Sequence, residues 1–257
     1  MVKMEDLKKL AVSSVNGQQH KGCMNGKWYK LDKYGYESAA EAICADLNYA
    51  LGVKNYVEYR ECVVSQNGFP LSACVSDDFS IEGYKIVTLE ELAALKGMRK
   101  ELNSLSGNDP IQFLSDFLDL AEKIVGISEV RDYILDLLWL DCLYYNVDRH
   151  INNFSFYLGK DILFTPYYDF GEALFSDLRI FKGVEDENIA RTYLQRWPFN
   201  PLQFPLAETV MALKHFKAFP YDLNALRETS ISSIQENVIE RVKLCLTLTT
   251  QIILAPC

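Results

Sequence analysis

The chain has 257 residues, of which 49% are hydrophobic and 24% are charged, and its formal net charge is −9. This composition is sufficient for a globular core, and an acidic chain receives no electrostatic help in binding nucleic acid, so neither DNA nor RNA is an expected direct partner. The seven cysteines are scattered without a Cys-x-x-Cys pair, which argues against a disulfide framework and a zinc site. No stretch of about 18 residues is continuously apolar, which argues against a membrane-spanning helix.

The first 88 residues are rich in strand and turn signals and contain one helical segment. Asn-Gly pairs at 16–17 and 25–26 predict hairpin turns, and the alternating aromatic run at 27–32 predicts a strand. Residues 36–51 change to helical spacing, and Gly52 supplies a stop signal. Further extended runs are predicted at residues 53–64, 71–79 and 83–88.

From about residue 89 onward, apolar residues recur mainly at helical spacing. Residues 146–175 interrupt this pattern with a loop, a short strand, a turn and a second short strand. Helices are predicted at residues 89–105, 111–125, 128–145, 205–217 and 230–254. Strands that precede helices in this way predict an α+β chain of two lobes. We place a small antiparallel-sheet lobe with one helix at 1–88 and a larger, mainly helical lobe at 89–257.

The segment that interrupts the helices carries the residues most suited to chemistry. Asn153 follows Asp148 by five positions, which is the spacing of the catalytic loop of protein kinases. Such a carboxylate can orient the proton of an attacking hydroxyl, and a neutral amide can bind Mg²⁺ without adding negative charge. Asp169, in Asp-Phe-Gly after an apolar run, can bridge Mg²⁺ to phosphates. The alternative is a polar loop cap and a turn residue, and the order of elements favours the first interpretation.

The same residues carry a family resemblance. Residues 148–155 resemble the Asp-x-His-x-x-Asn-Phe-Ser segment of HipA-type serine/threonine kinases, and residues 166–169 resemble their Pro-x-Tyr-Asp metal motif. The resemblance implies that Asp148 is the catalytic base and that Asn153 and Asp169 bind Mg²⁺, with His150 among the cofactor-binding residues. It also implies a bilobal protein-kinase-like fold without the extra N-terminal domain of HipA.

The resemblance extends upstream to a lysine and a glutamate. Residues 28–30 and 35–41 resemble the strand lysine and the following helix of a HipA-like subgroup, which implies that Lys30 contacts the phosphates of ATP and that Glu41 pairs with it. A buried ammonium near phosphates needs such a counter-ion to hold its geometry. Lys27 is the alternative, and because the two lysines point to opposite faces of a strand, only one can face the nucleotide.

The remaining nucleotide contacts have weaker signals. The resemblance suggests that backbone groups of Asp77 and Phe79 meet adenine, although Asp77 and Asp78 fit a solvated turn equally well. No Gly-x-Gly-x-x-Gly is present. The candidate phosphate loop instead consists of the backbone amides of Gly17, Gln18 and Gln19, with His20 or Lys21 adding a positive charge. A plain hairpin turn is the alternative.

Together these features predict a kinase that binds ATP with two Mg²⁺ ions between its lobes and phosphorylates Ser or Thr of a protein substrate, including itself. A phosphoinositide or small-molecule kinase with the same motifs is one alternative. A nucleotide-binding pseudokinase that serves as an interaction module is another. The resemblance implies a neutralising partner protein. Free thiols favour a cytoplasmic location, and export as an effector stays open.

Overall fold

The computed structural model describes residues 2–3, 21–198 and 203–256. These residues form an α+β structure, which confirms the fold class predicted from the sequence. The chain divides into two compact units, each built from three segments. The first unit contains Met1–Phe79, Pro166–Ala190 and Tyr221–Cys245, and the second contains Ser80–Thr165, Arg191–Pro220 and Leu246–Cys257. The division into lobes after residue 88 stays a prediction.

The first unit is built on a five-stranded sheet of order β1-β4-β5-β3-β2. Strand β1 is parallel to β4, and the other neighbours are antiparallel. The strands are β1 (Val2–Lys3), β2 (Lys21–Met24), β3 (Lys27–Leu31), β4 (Arg60–Gln66) and β5 (Phe69–Asp77). One face of the sheet buries an apolar cluster of Tyr29, Leu31, Val64 and Ala73. Because side chains alternate along a strand, Lys30 points to the opposite face.

Helix α1 (Glu37–Ala50) packs against β3, β4 and β5. Its small and apolar side chains are buried together with Glu41, which places a carboxylate in the interior. Glu37, the first residue of the helix, fixes the turn that precedes it. The Glu37 carboxylate accepts hydrogen bonds from the backbone N–H groups of Lys33, Tyr34 and Gly35 at 3.2, 2.7 and 3.1 Å. These bonds join the end of β3 to the start of α1.

The second unit combines a small antiparallel sheet with helices. The sheet has the order β6-β7-β8, with β6 (Lys85–Thr88), β7 (Ser155–Leu158) and β8 (Ile162–Phe164). The helices that precede the Asp148–Asn153 segment are α2 (Leu89–Leu95), α3 (Arg99–Ser104), α4 (Pro110–Val125) and α5 (Val130–Tyr144). Helix α5 is buried along almost its whole length, so it forms the centre of this unit.

The remaining helices follow the short hairpin of β7 and β8. They are α6 (Glu187–Arg196), α7 (Leu206–Phe216), α8 (Asn224–Glu228) and α9 (Ile239–Leu254). Short 3₁₀ helices lie before the hairpin at Ile151–Asn153 and before α9 at Glu236–Val238. Across the ranges that the structure describes, no helix is long and apolar enough to cross a membrane.

Three predicted elements differ from the structure. The helix predicted at 89–105 is two helices, since Gly97 has a φ of 74° and ends the first. The strand predicted at 53–64 begins only at Arg60. The helix predicted at 230–254 begins at Ile239, because Ser233 and the backbone of Ile234 hydrogen-bond to Glu61 at 2.9 and 2.8 Å instead of continuing a helix.

Candidate active site

Lys30 lies at the centre of a buried charged cluster in the first unit. It is 8% exposed, and its Nζ donates to Oε1 of Glu41 at 2.5 Å and to Oδ1 of Asp169 at 2.9 Å. Glu41 is fully buried, whereas the Asp169 side chain is 36% exposed. The structure therefore brings together one ammonium and two carboxylates that the sequence had singled out.

Glu41 also holds the backbone that follows Asp169. The N–H of Phe170 donates to Oε2 of Glu41 at 3.0 Å, and the Phe170 side chain is buried. Asp169 itself has a φ of 68°, in the left-handed region that a non-glycine residue seldom adopts. Such an uncommon conformation persists only where its surroundings impose it, and here the Glu41 bond is one of those constraints.

The residues directly before Asp169 are anchored within the first unit. Tyr167 pairs in parallel with Tyr56. The N–H of Tyr167 donates to the carbonyl of Asn55 at 2.8 Å, and the N–H of Val57 donates to the carbonyl of Tyr167 at 2.9 Å. These bonds set the position from which the Asp169 carboxylate reaches Lys30.

The charges in this cluster favour a protonated Lys30. Burial by itself would lower the pKa of Lys30, but the carboxylates of Asp169 and Glu41 outweigh it and hold that pKa well above its ordinary value. The ring of Tyr59 lies over the ammonium, 4.9 Å from Nζ to the ring centroid. Tyr59 therefore adds a cation–π contact. The sequence did not predict it, because Tyr59 lies in no recognisable motif.

Lys27, the alternative to Lys30, has different surroundings. It is exposed and pairs with the exposed carboxylate of Asp77 at 2.5 Å. The structure therefore places Lys30, and not Lys27, beside Glu41. Asp77 ends β5, and the Phe79 ring lies 5.5 Å from the ring of Tyr168, the neighbour of Asp169. Contact of the Asp77 and Phe79 backbone with adenine stays a prediction.

The candidate phosphate loop, Gly17, Gln18, Gln19 and His20, lies outside the described residues, as does the predicted 16–17 hairpin turn. Lys21 follows it and pairs with Lys30 in the register of β2 and β3. Desolvation of its ammonium, opposed by Asp169 and reinforced by Lys30, lowers the pKa of Lys21. A second cation therefore lies close to the Lys30 cluster.

The second unit holds the Asp148–Asn153 segment in a tight turn. The amide Nδ2 of Asn153 donates to the carbonyl of Asp148 at 3.1 Å, and the Asn153 N–H donates to the carbonyl of His150 at 2.8 Å. His150 caps the short 3₁₀ helix, since its Nδ1 accepts from the N–H of Asn152 at 3.2 Å. The contacts give His150 a structural role in the loop, and its cofactor role stays a prediction.

Arg149 ties this segment to helix α5. It is fully buried, and its Nε and Nη2 donate to the two carboxylate oxygens of Asp141 at 2.9 and 3.1 Å, while Nη1 donates to the carbonyl of Asn153 at 3.3 Å. Asn146 Nδ2 donates to the same carboxylate at 2.7 Å. Sequence reasoning missed this network, although a carboxylate within the apolar run of α5 signalled that a buried partner was needed.

No group of three or more His, Cys, Asp or Glu side chains forms a metal cluster within residues 2–3, 21–198 and 203–256. The predicted ligands are instead one carboxylate, Asp169 in the first unit, and one amide, Asn153 in the second. Carboxylate and amide oxygens are the donors that Mg²⁺ accepts in proteins, so the donor chemistry fits this metal.

Comparison with solved structures identifies the fold. The crystal structure of the Helicobacter pylori proinflammatory kinase CtkA matches with a TM-score of 0.62 at 18% identity, covering 98% of this chain and 94% of that chain. This chain has a kinase-like fold. The HipA-like kinase resemblance of residues 148–155 and 166–169 thus predicted the fold correctly.

A second solved structure is more distant. HipA in the Shewanella oneidensis MR-1 toxin–antitoxin complex with HipB and operator DNA aligns with a TM-score of 0.48 at 17% identity, covering all of this chain and 70% of that chain. The sequence matches no protein-family model and no curated protein.

Proposed function

We propose that this protein is a Mg-ATP-dependent kinase that transfers the γ-phosphate of ATP to a serine or threonine hydroxyl of a protein, its own chain included. The observation that carries the proposal is the contact of Lys30 Nζ with both Glu41 and Asp169, at 2.5 and 2.9 Å. A fixed, buried cation beside a partly exposed carboxylate is what recognition of a metal-bound triphosphate requires.

In this proposal Lys30 holds the phosphates, and Glu41 holds Lys30. The raised pKa of Lys30 keeps its ammonium charged, so it can neutralise phosphate oxygens without first taking up a proton. Glu41 is fully buried and fixes the position of Nζ. The hydrogen bond from the Phe170 N–H to Glu41 also holds the backbone next to Asp169 in place.

Asp169 and Asn153 are the proposed holders of Mg²⁺, which would neutralise the charge that develops on the transferred phosphoryl group. The Asn153 amide suits this role because its Nδ2 donates to the Asp148 carbonyl, and no donor in the described ranges occupies its Oδ1. Asp148 is the proposed base that orients the acceptor hydroxyl. Most of the rate enhancement would come from positioning and electrostatic stabilisation.

The test is phosphate transfer from γ-labelled ATP with the wild type, Asp148→Asn and Asp169→Asn. Asp119→Asn, the same change at a partly exposed helix residue, serves as the control. We expect labelled protein with the wild type and the control, and losses of about 10²-fold or more with the two site variants. Equal labelling in all four proteins would reject the assignment.

The identity of the labelled product separates the kinase classes. Phosphoserine or phosphothreonine in protein supports the proposal, whereas label in a phosphoinositide or a small metabolite would replace the protein acceptor. Binding of Mg-ATP without any transfer would instead indicate a nucleotide-binding interaction module. A neutralising partner protein is proposed from the sequence resemblance alone.

A further inference from the structure

The sheet face that carries Lys30 also carries a serine near the end of β5. In the β3–β5 register, Lys30 is opposite Cys74 and Trp28 is opposite Ser76. Residues opposite each other in an antiparallel pair share a face, and side chains alternate along each strand. Lys30, Cys74 and Ser76 therefore point to one side of the sheet, away from the apolar cluster of Tyr29 and Leu31 on the other.

The contacts of the Ser76 hydroxyl in the described part of the chain include no hydrogen bond. The residue is 4% exposed, and within the described part of the chain its Oγ has no hydrogen-bond partner. Buried hydroxyl groups are almost always hydrogen-bonded, because leaving one unpaired costs the free energy of its desolvation. An unpaired hydroxyl on the face of the phosphate-binding lysine suggests that its partner is a ligand.

The surroundings of Ser76 indicate which part of a ligand it would meet. Cys74 packs with Tyr59, whose ring covers Lys30, and Phe79 and Tyr168 pack against the same cluster. Tyr168 is followed directly by Asp169. Ser76 thus lies on the strand between the charged residues that suit phosphates and the aromatic pair of Phe79 and Tyr168, which suits a planar base.

We propose that Ser76 Oγ hydrogen-bonds the purine base of the bound nucleotide and helps to select adenine. This inference rests on the proposed function, since it assumes that ATP is the ligand of the Lys30 face. A hydroxyl can accept a hydrogen bond from the exocyclic amine of adenine or donate one to a ring nitrogen. A site built to pair with such a group rejects a base that lacks it.

The experiment measures binding of Mg-ATP and of Mg-purine riboside triphosphate, which lacks the exocyclic amine, to the wild type and to Ser76→Ala. Ser72→Ala, on the same strand and the same face but four residues from Ser76, is the matched control. We expect Ser76→Ala to weaken Mg-ATP binding about tenfold, the value of one hydrogen bond, and the control to bind as the wild type does.

Stability without nucleotide separates a ligand contact from a structural role. Because Ser76 Oγ has no hydrogen-bond partner among residues 2–3, 21–198 and 203–256, the Ser76→Ala variant should unfold at the same or a higher denaturant concentration than the wild type. A lower midpoint would mean that the hydroxyl supports the fold, and would overturn the inference. Ser76→Thr, which keeps a hydroxyl, should retain more affinity for Mg-ATP than Ser76→Ala.

The two proposals fail in different ways. Wild-type protein that binds no Mg-ATP would reject the proposed function and this inference together. Wild-type protein that binds Mg-ATP, with Ser76→Ala binding equally tightly, would reject this inference alone. If the wild type prefers Mg-ATP over purine riboside triphosphate and Ser76→Ala removes that preference, the exocyclic amine is the group that Ser76 contacts.

Discussion

Lys27 and Lys30 stand three positions apart on one strand and have opposite surroundings. Lys30 is enclosed by two carboxylates and an aromatic ring, whereas Lys27 shares an exposed ion pair with Asp77. An exposed pair is screened by solvent and contributes little, while a buried cation is held in one geometry by its partners. Of the two lysines, Lys30 is therefore the one whose ammonium the structure holds in a fixed position.

Replacing each lysine by methionine tests this difference. Lys30→Met should lower the rate of phosphate transfer about 10²–10³-fold, because a preorganised charge at the phosphates is lost. Lys27→Met should leave the rate near the wild-type value. The measurement is initial transfer rate at saturating Mg-ATP, and equal losses in the two variants would contradict the assignment.

At the scale of elements, the position of the Asp148–Asn153 segment depends on helix α5. The Asp141 carboxylate on this helix accepts two hydrogen bonds from Arg149. The same guanidinium also donates to the carbonyl of Asn153. Since Arg149 and Asp141 are both fully buried, removing one of them leaves the charge of the other without a partner and away from bulk water. The helix thereby sets the position of the loop that carries Asp148.

We expect Arg149→Met to destabilise the protein by about 3–5 kcal/mol, since it leaves the Asp141 carboxylate buried without its cation. The matched control is Arg131→Met, which removes a partly exposed ion pair with Asp119 and should cost about 0–1 kcal/mol. Urea unfolding of both variants measures the difference. A similar small loss in both would show that the buried pair does not support the segment.

A second junction between elements involves a glycine. Gly35 bridges to Asp177, and a Cβ atom added at Gly35 would lie 1.8 Å from the carbonyl oxygen of Ser176. The turn before α1 and the segment after Asp169 therefore approach each other through bare backbone. This contact supports the helix that carries Glu41.

Gly35→Ala should destabilise the protein by about 1–3 kcal/mol, the usual cost of overpacking, because the backbone must move to admit the methyl group. Gly107→Ala is the control, since its added Cβ would come no closer than 3.9 Å to Phe113. Chemical denaturation compares the two. An unchanged midpoint for Gly35→Ala would contradict the close approach.

At the scale of the whole molecule, the Lys30 cluster depends on long-range contacts. Lys30 and Asp169 are 139 positions apart, and the first unit gathers three separate segments of the chain. Segment 233–235 is also held in this unit, by Glu61 and by the bond from Gln235 to Asp32 at 2.9 Å. A ligand that binds this cluster therefore stabilises several segments at once.

Binding of Mg-ATP should raise the unfolding free energy by about 2.7 kcal/mol at a nucleotide concentration 100 times the dissociation constant. In the Asp169→Asn variant, most of the Mg²⁺-dependent increase in unfolding free energy should be lost. Thermal unfolding with ATP, in Mg²⁺ or in a chelator, measures both effects. A shift that is equal with and without Mg²⁺ would contradict a metal role for Asp169.

The sequence by itself determined the α+β class, the kinase-like fold and the positions of most strands and helices. The class and the elements follow from hydrophobic periodicity and turn residues, which act over short distances along the chain. The kinase-like fold was predicted from the resemblance of residues 148–155 and 166–169 to HipA-type kinases. The sequence also singled out Lys30 and Glu41 as a pair and Asp169 as a metal ligand, but not their common cluster. Their roles with ATP and Mg²⁺ stay predictions, together with those of Asp148 and Asn153.

Only the tertiary structure decided which lysine meets Glu41, and only it revealed the Tyr59 contact and the Arg149–Asp141 pair. It also revealed that the Ser76 hydroxyl has no hydrogen-bond partner in the part of the chain that is described. It also determined that the last long helix begins at Ile239, because the residues before it bond to distant partners. Buried polar groups are satisfied by whatever the fold brings beside them, and that pairing is set by contacts between segments far apart in the chain rather than by local pattern.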